Sequence, residues 1–190
     1  MEPTATARLI AANVESPATD IRDFDEVVQL YRPRIFRFVL ASVRDRDAAE
    51  TLTQDCFWKA YRGRKGFRGD ASVHTWLMHI AVNLVRDFAR NRRIQFWRRA
   101  PILSPADVCD WIPDRNISPE ASAVVKDQVQ AVWRATERLS AKQRTAFLLR
   151  FVEDMDVLDI AAATGMTEGT VKVHLFRAVH AIRERLRRSQ

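Results

Sequence analysis

The sequence predicts an all-α protein of two small helical domains joined by a flexible acidic linker. Apolar side chains recur at spacings of three and four between the chain-breaking residues, which is the periodicity of helices packed on one face. The five glycines fall within 63–69 and 165–169, and four of the seven prolines fall within 101–119. These breakers divide the 190 residues into an N-terminal extension, a first domain, a linker and a second domain, at 1–22, 23–97, 98–124 and 125–190.

Positive charge is concentrated in the two predicted domains. The chain has a net charge of +7, and basic residues exceed acidic ones within 23–99 and again within 125–190. Residues 100–124 contain one arginine against four acidic residues, a net charge of −3. Two basic blocks on either side of an acidic connector favour nucleic acid or an acidic protein as the partner.

The sequence disfavours several classes of protein. No segment approaches the roughly 18 apolar residues of a membrane span, and the N-terminus lacks the apolar core of a signal peptide. We therefore expect a cytoplasmic protein without direct membrane insertion. Cys56 and Cys109 are too few and too far apart for a zinc site or a disulfide framework. Nucleophile elbows, phosphate loops and paired carboxylates are also missing, so we expect no enzyme, cofactor or metal.

The first domain is expected to contain three helices. The first covers 24–43, with a kink or restart at Pro33. The second is opened by Asp47 and Glu50 as a capping pair, and the third covers 72–96. The inward-facing apolar residues at helical spacing are Val27, Tyr31, Ile35 and Phe38 in the first helix, Ala49, Leu52, Cys56 and Ala60 in the second, and Val73, Leu77, Ile80, Leu84 and Phe88 in the third.

Polar and basic residues mark the outer faces of the second and third helices. The second helix turns Thr51, Gln54 and Asp55 outward, and a basic loop with three glycines covers 62–70. A polar helix face alone is as typical of a solvated surface as of a binding surface. A basic loop beside it favours nucleic acid, because neutralising several phosphates requires clustered charge. The polar face of the third helix consists of His79, Asn83, Arg86, Asp87 and Arg90.

The second domain begins with one or two helices over 125–153 and ends in the layout of a helix-turn-helix. Asp156 can cap a short helix, with Asp159 reaching back as in a capping box, and Gly165 supplies the positive φ that ends it. Thr167 caps a second helix whose apolar face is formed by Val171, Leu175, Ala178 and Ile182. Its opposite face, laid out like a recognition helix in a major groove, carries Lys172, Val173, Phe176 and Arg177. Two ordinary packed surface helices are the alternative interpretation of this stretch.

Two parts of the sequence resemble one known family. The first part contains AETLTQDCFWKAY (49–61) and FRGDASVHTWLMHIAVNLVRD (67–87). The second contains LSAKQRTAFLLR (139–150), then the helix-turn-helix with TEGTVK (167–172). They resemble, in the same order, the sigma-2 and sigma-4 domains of the bacterial extracytoplasmic-function (ECF) sigma factors, which recruit RNA polymerase to promoters. The first part is highly specific to that family, whereas a helix-turn-helix is shared with others.

The resemblance implies that the chain binds core RNA polymerase and promoter DNA. The helix at 49–61 would dock on the clamp of the largest polymerase subunit through Glu50, Thr51, Gln54 and Asp55, although the family usually has an acidic residue in place of Thr51. The −10 element, with one base flipped into the loop at 65–72, would be read by Lys65, Phe67, Arg68, His79, Asn83, Arg86, Asp87 and Arg90. The −35 element would be read by Thr167, Glu168, Gly169, Thr170, Lys172, Val173, His174 and Arg177.

The resemblance also implies a regulatory partner and a path for the linker. An anti-sigma factor, often membrane-anchored in this family, would mask both domains until a signal arrives. The acidic linker would thread the RNA exit path of the polymerase. Within the predicted base-reading region, Phe67 is favoured as a stacking residue, whereas Trp76 is favoured as a core residue.

The strongest alternative is a LuxR-type transcriptional regulator, because TVKVH in the last helix also suits the recognition helix of that family. Such regulators carry a receiver or ligand-sensing domain rich in β-strands. Residues 23–97 contain neither alternating strands nor an aspartate placed for phosphorylation after an apolar strand. A nucleic-acid-processing enzyme would need clustered metal-binding carboxylates, whereas the acidic residues here are scattered over helix caps and the connector. A sigma factor therefore remains the preferred interpretation.

Overall fold

The computed structural model describes residues 23–94 and 131–188. We refer to these segments as the first half and the second half. The predicted extension (1–22) and linker (98–124) lie outside the described residues. Within the two halves there is no β-strand, in agreement with the predicted all-α class. No helix of the two halves is both long and apolar enough to cross a membrane.

The described chain is built from α-helices connected by short turns. The first half contains α1 (Phe24–Val43), α2 (Arg46–Gly63), a 3-10 turn (Arg64–Gly66) and α3 (Val73–Ile94). The second half begins with a helical segment at 131–136. It continues with α4 (Ala141–Phe151), α5 (Val157–Thr164) and α6 (Glu168–Arg188).

Helix α1 is longer and more regular than its proline suggests. The Asp23 carboxylate caps it by accepting a hydrogen bond from the backbone N–H of Glu26 at 3.1 Å. The helix continues through Pro33 without the expected restart. Because Pro33 is exposed, the backbone carbonyl that loses its helical partner lies on the solvent side. The predicted inward residues are all buried: Val27, Tyr31, Ile35 and Phe38.

Helix α2 begins with a different cap from the one predicted. The carboxylate of Asp45, not Asp47, accepts a hydrogen bond from the backbone N–H of Ala48 at 3.0 Å. Glu50 takes no part in capping, and its carboxylate lies 3.5 Å from the guanidinium of Arg46. The extended backbone of Asp45 (φ −143°, ψ 115°) is what makes it the cap. The inward residues of α2 are buried as predicted: Ala49, Leu52, Cys56 and Ala60.

Helix α3 completes the core of the first half. It is capped by Ser72, whose hydroxyl accepts a hydrogen bond from the backbone N–H of Thr75 at 3.0 Å. The thiol of Cys56 donates to the carbonyl oxygen of Leu77 at 3.6 Å. Burial raises the pKa of this thiol to about 12, and the opposing effect of Lys59 is smaller. Cys56 is therefore a core residue rather than a reactive thiol.

The second half contains the expected helix-turn-helix, formed by α5 and α6. The Asp156 carboxylate caps α5 by accepting from the backbone N–H of Asp159 at 2.7 Å. Gly165 ends α5 with φ 71°, a conformation that favours glycine. The Thr167 hydroxyl caps α6 by accepting from the backbone N–H of Thr170 at 3.3 Å. The apolar face of α6 packs inward as predicted, with Val171, Ala178 and Ile182 buried and Leu175 half-buried.

The two halves pack directly against each other. A continuous cluster of buried apolar residues from α1, α2 and α3 extends into the second half through Leu148, Leu149, Ile160 and Ala163. Helix α5 lies against α3, and α4 lies against α1. The expected capping box at Asp159 is wrong, because its carboxylate instead accepts a hydrogen bond from the hydroxyl of Thr75 in α3 at 2.8 Å. The sequence predicted two helical units but not this contact between them.

Candidate polymerase and promoter surfaces

The outer face of α2 carries the four predicted polymerase-docking residues, and the structure exposes all of them: Glu50, Thr51, Gln54 and Asp55. The Thr51 hydroxyl donates to the backbone carbonyl oxygen of Asp47 at 2.9 Å. The Glu50–Arg46 pair is solvent-exposed, so it contributes no more than about 1 kcal/mol. Gln54 and Asp55 make no side-chain hydrogen bond within the described residues, which leaves their polar atoms available to a partner.

Two exposed aromatic residues, which were not among the predicted docking residues, extend this face. Trp58 is 60% exposed and Tyr61 is 43% exposed, and their rings stack with centroids 6.5 Å apart. Trp58 follows Gln54 by four residues, which places the two side chains on neighbouring turns of the same face. The four-residue spacing from Gln54 is the sequence signal that could have identified Trp58 as part of this face. Because large exposed aromatics are enriched in protein interfaces, Trp58 joins the candidate docking residues.

The loop between α2 and α3 forms one side of a pocket of about 220 Å³. Gly69 turns the chain with φ 78°, and Phe67 packs on Trp76 with ring centroids 5.1 Å apart. Both rings are half-buried, so Trp76 contributes to the core and to the pocket. Aromatic walls of this kind suit an unstacked base. The pocket is lined by Gly66, Phe67, Arg68, Gly69, Asp70, Ala71, Thr75, Trp76, His79 and Ala162.

The predicted cations of the −10 surface are accessible. Lys65 is exposed in the 3-10 turn. Arg68 lies 3.1 Å from Asp70, and Arg90 lies 3.2 Å from Asp87. Exposed pairs such as these are weak and screened by salt, so each arginine can exchange its carboxylate for a phosphate.

Three other predicted −10 residues form a chain of hydrogen bonds along α3. Nδ1 of His79 lies 3.1 Å from the carbonyl oxygen of Ala163, and Nε2 of His79 lies 3.0 Å from Nδ2 of Asn83. Arg86 donates to the side-chain oxygen of Asn83 at 2.7 Å. Neutral His79 with its proton on Nδ1 satisfies both contacts, donating to Ala163 and accepting from Asn83. The structure thus brings these residues together, and it connects them to the second half.

The predicted −35 residues lie on the first turns of α6. Thr167, Glu168, Gly169, Thr170, Lys172, Val173 and Arg177 are all exposed. The ammonium group of Lys172 lies 3.5 Å from the Glu168 carboxylate in an exposed pair. Phe176, next to Arg177, is 74% exposed and stacks on His180. This face therefore offers positive charge, hydroxyl groups and an apolar ring, the groups that contact phosphates and base edges in a major groove.

His174 differs from the other predicted −35 residues because it is half-buried. Its Nδ1 is buried without a hydrogen-bond partner in the described chain. Burial lowers the pKa of His174, and the positive charges of Lys142 and Arg177 lower it further. A lowered pKa disfavours the protonated imidazole, so His174 is poorly suited to provide the fixed positive charge of a phosphate contact.

The described residues do not provide a metal centre. No group of three or more histidine, cysteine, aspartate or glutamate side chains in 23–94 or 131–188 is arranged to hold a metal ion.

Comparison with protein-family models matches both halves of the chain. Residues 27–94 match sigma-70 region 2, and residues 129–182 match sigma-70, region 4. The RNA polymerase sigma-H factor of Pseudomonas aeruginosa is 33% identical over 169 residues, covering 86% of each chain. The chain belongs to the ECF sigma factors of RNA polymerase. The ECF RNA polymerase sigma-E factor of Escherichia coli K12 is 32% identical over 173 residues, again covering 86% of each chain.

Solved structures agree with this assignment. The sigma factor RpoE of Bartonella quintana, in complex with the anti-sigma factor NepR, aligns with a TM-score of 0.67 and 25% identity over 87% of this chain and 98% of that one. CnrH, in complex with the cytosolic domain of CnrY, shares the fold with a TM-score of 0.63 and 18% identity over 97% and 96% of the two chains. This sigma factor directs RNA polymerase to promoters, and the LuxR-type alternative is not supported.

Proposed function

We propose that the first half is the sigma-2 domain, which docks on core RNA polymerase and opens the −10 element, and that the second half is the sigma-4 domain, which reads the −35 element. The proposal is carried by the ordered match to sigma-70 regions 2 and 4. The exposed face of α2, the aromatic pocket before α3 and the exposed face of α6 supply one surface for each task. We further propose that the protein is not an enzyme and acts in the cytoplasm.

We also propose that an anti-sigma factor holds this chain inactive. The support is the likeness to RpoE, which was solved in complex with the anti-sigma factor NepR. The exposed apolar groups Trp58 and Phe176 give such a partner surface to bury on either half. From the family we also expect this partner to be anchored in a membrane.

Polymerase docking is tested by replacing Gln54 and Asp55 together with alanine. We expect weaker binding to core RNA polymerase with almost unchanged thermal stability, because substitutions at exposed positions usually shift stability by no more than about 0.5 kcal/mol. Affinity is measured by titrating labelled sigma factor with core enzyme. Asp47→Ala is the matched control, since it removes an exposed carboxylate from the first turn of the same helix. Unaltered affinity in the double variant would sink the assignment of this face.

Reading of the −35 element is tested by comparing Lys172→Ala with Arg177→Ala. We expect Lys172→Ala to relax the preference at one base pair at a cost of about 1–3 kcal/mol, as for a base-reading side chain. Arg177→Ala should weaken binding to all promoters alike, as for a phosphate contact. A promoter library transcribed with each variant separates the two effects. Arg183→Ala, exposed further along α6, is the control, and identical profiles for Lys172→Ala and Arg177→Ala would refute the division of roles.

A further inference from the structure

Two cationic side chains lie around His174 on the flank of α6. Lys142, on the first turn of α4, and Arg177, one turn further along α6, are both exposed, whereas His174 is half-buried between them and the core. Both positive charges act on the imidazole. Two packed helices therefore bring together three side chains that can each be positively charged. We call Lys142, His174 and Arg177 the cationic cluster.

The acidic side chains of the elements around α6 are engaged with other groups. Glu137, in the turn before α4, lies 2.9 Å from Arg44. Asp159, the one charged residue of α5, accepts a hydrogen bond from Thr75 at 2.8 Å. On α6 itself, Glu168 lies 3.5 Å from Lys172. Helix α4 contains no acidic residue. The charge of the cluster is thus left without an acidic partner in the described residues.

The imidazole of His174 is not held in place by a hydrogen bond. Its Nδ1 is buried and has no partner among the residues of 23–94 and 131–188. Burial and the two cations lower the pKa of His174, so the neutral ring is favoured in the free chain. A negatively charged acceptor placed in the cluster would provide a hydrogen-bond partner and would offset the charges that oppose protonation. The cluster therefore has the properties of an anion site.

A backbone phosphate of DNA is the anion that the position of the cluster favours. The cluster lies at the border between α4 and the exposed face of α6 that carries Lys172 and Val173. A recognition helix in the major groove has a phosphate backbone along each flank, and contacts to these phosphates fix its position. A phosphate offers one negative charge and two free acceptor oxygens, which suit a group of three cationic donors.

We propose that Lys142, His174 and Arg177 together bind one backbone phosphate of the −35 element, and that His174 takes up a proton from solvent when the phosphate binds. The inference rests on the proposed sigma-4 function, to which it adds a contact from α4 and a protonation step. The imidazolium donates to a phosphate oxygen, and the proton returns to solvent when the DNA dissociates. Promoter affinity should consequently rise as the pH falls through the range between the lowered pKa of free His174 and its higher pKa beside the phosphate.

The test measures binding of a labelled promoter duplex to holoenzyme assembled from core RNA polymerase and the full chain. Fluorescence anisotropy is recorded at about pH 6 and about pH 7.5, on either side of the ordinary imidazole pKa. His174→Gln removes the titrating group, and His174→Arg makes the charge permanent. His180→Gln is the matched control, because His180 is exposed on the same helix and stacks on Phe176.

We expect the parent and His180→Gln to bind the promoter roughly threefold to tenfold more tightly at the lower pH, relative to His174→Gln, within the tenfold per pH unit that one proton allows. His174→Arg should bind tightly at both pH values. Lys142→Ala should weaken binding at both and reduce the salt slope by about one. The same pH dependence in His174→Gln as in the parent, or unchanged binding in Lys142→Ala, would overturn the proposal.

The free chain provides a readout that does not depend on promoter binding. The proton NMR signal of His174 is titrated in inorganic phosphate and in chloride at equal ionic strength. Phosphate should raise the pKa of His174 more than that of His180, and Lys142→Ala should reduce this difference. Equal shifts for the two histidines would count against an anion site at the cluster. Failure of every holoenzyme to bind the promoter would instead contradict the proposed function, and the NMR titration would still decide whether the cluster binds phosphate.

Discussion

Replacing Phe38 with alanine is expected to lower the free energy of unfolding by about 3–5 kcal/mol, the usual cost of emptying a buried phenylalanine site. Phe38 is fully buried and lies in the cluster that extends from α1 into the second half. Urea denaturation followed by circular dichroism measures the change. Since the core is continuous, we expect a single transition whose midpoint falls.

The control for this prediction is Phe176→Ala, which removes the same side chain from a position that is 74% exposed. Its effect on the free energy of unfolding should stay within about 0.5 kcal/mol. Similar decreases in the free energy of unfolding for the two variants would mean that Phe38 does not lie in the packed core.

Replacing Asn83 with alanine is expected to impair promoter opening more than initial binding to duplex DNA. The side chain of Asn83 offers both a donor and an acceptor to a base edge. The loss of one such contact costs about 1–3 kcal/mol, roughly 5- to 150-fold in the extent of opening. Permanganate footprinting reports unpaired thymines on duplex promoters and on promoters melted beforehand. The defect should be smaller on the melted template, because the bases there are already unpaired.

Two comparisons control the Asn83 experiment. Asn91→Ala makes the same change at an exposed position near the end of α3 and should open promoters normally. Grafting a different loop at 65–72 should change which −10 base is preferred. Equal Asn83→Ala defects on both templates, together with an unchanged base preference in the loop graft, would contradict the pocket model.

The helices could be predicted because their signals are local. Apolar spacing identified the buried faces of α1, α2 and α3, and Gly165 and Thr167 marked the turn before α6. The error at the start of α2 is also local in origin, since Asp45 and Asp47 are both suitable caps and only the backbone conformation separates them. Composition and periodicity thus sufficed for the fold class and for most of the inward-facing residues.

The contacts between the halves could not be predicted in this way. Asp159 has the spacing of a capping-box residue, yet its carboxylate binds Thr75, 84 positions earlier in the chain. Glu153 pairs with Arg34 across 119 positions, and no periodic pattern connects residues so far apart. Helical periodicity indicated which side chains lie opposite the apolar faces, whereas the roles of the candidate surface residues came from the resemblance to the ECF sigma factors. The contacts that these residues make with the rest of the chain could be identified only from the tertiary structure.

Transcription with purified components tests the central claim most directly. Core RNA polymerase is incubated with genomic fragments, with and without this sigma factor, and the 5′ ends of the RNA are mapped. We expect new start sites that depend on the chain, share −10 and −35 elements at a fixed spacing, and decline with the Gln54→Ala, Asp55→Ala variant. The contrary result is an absence of new start sites combined with specific binding to duplex DNA without polymerase, as a conventional helix-turn-helix regulator would show.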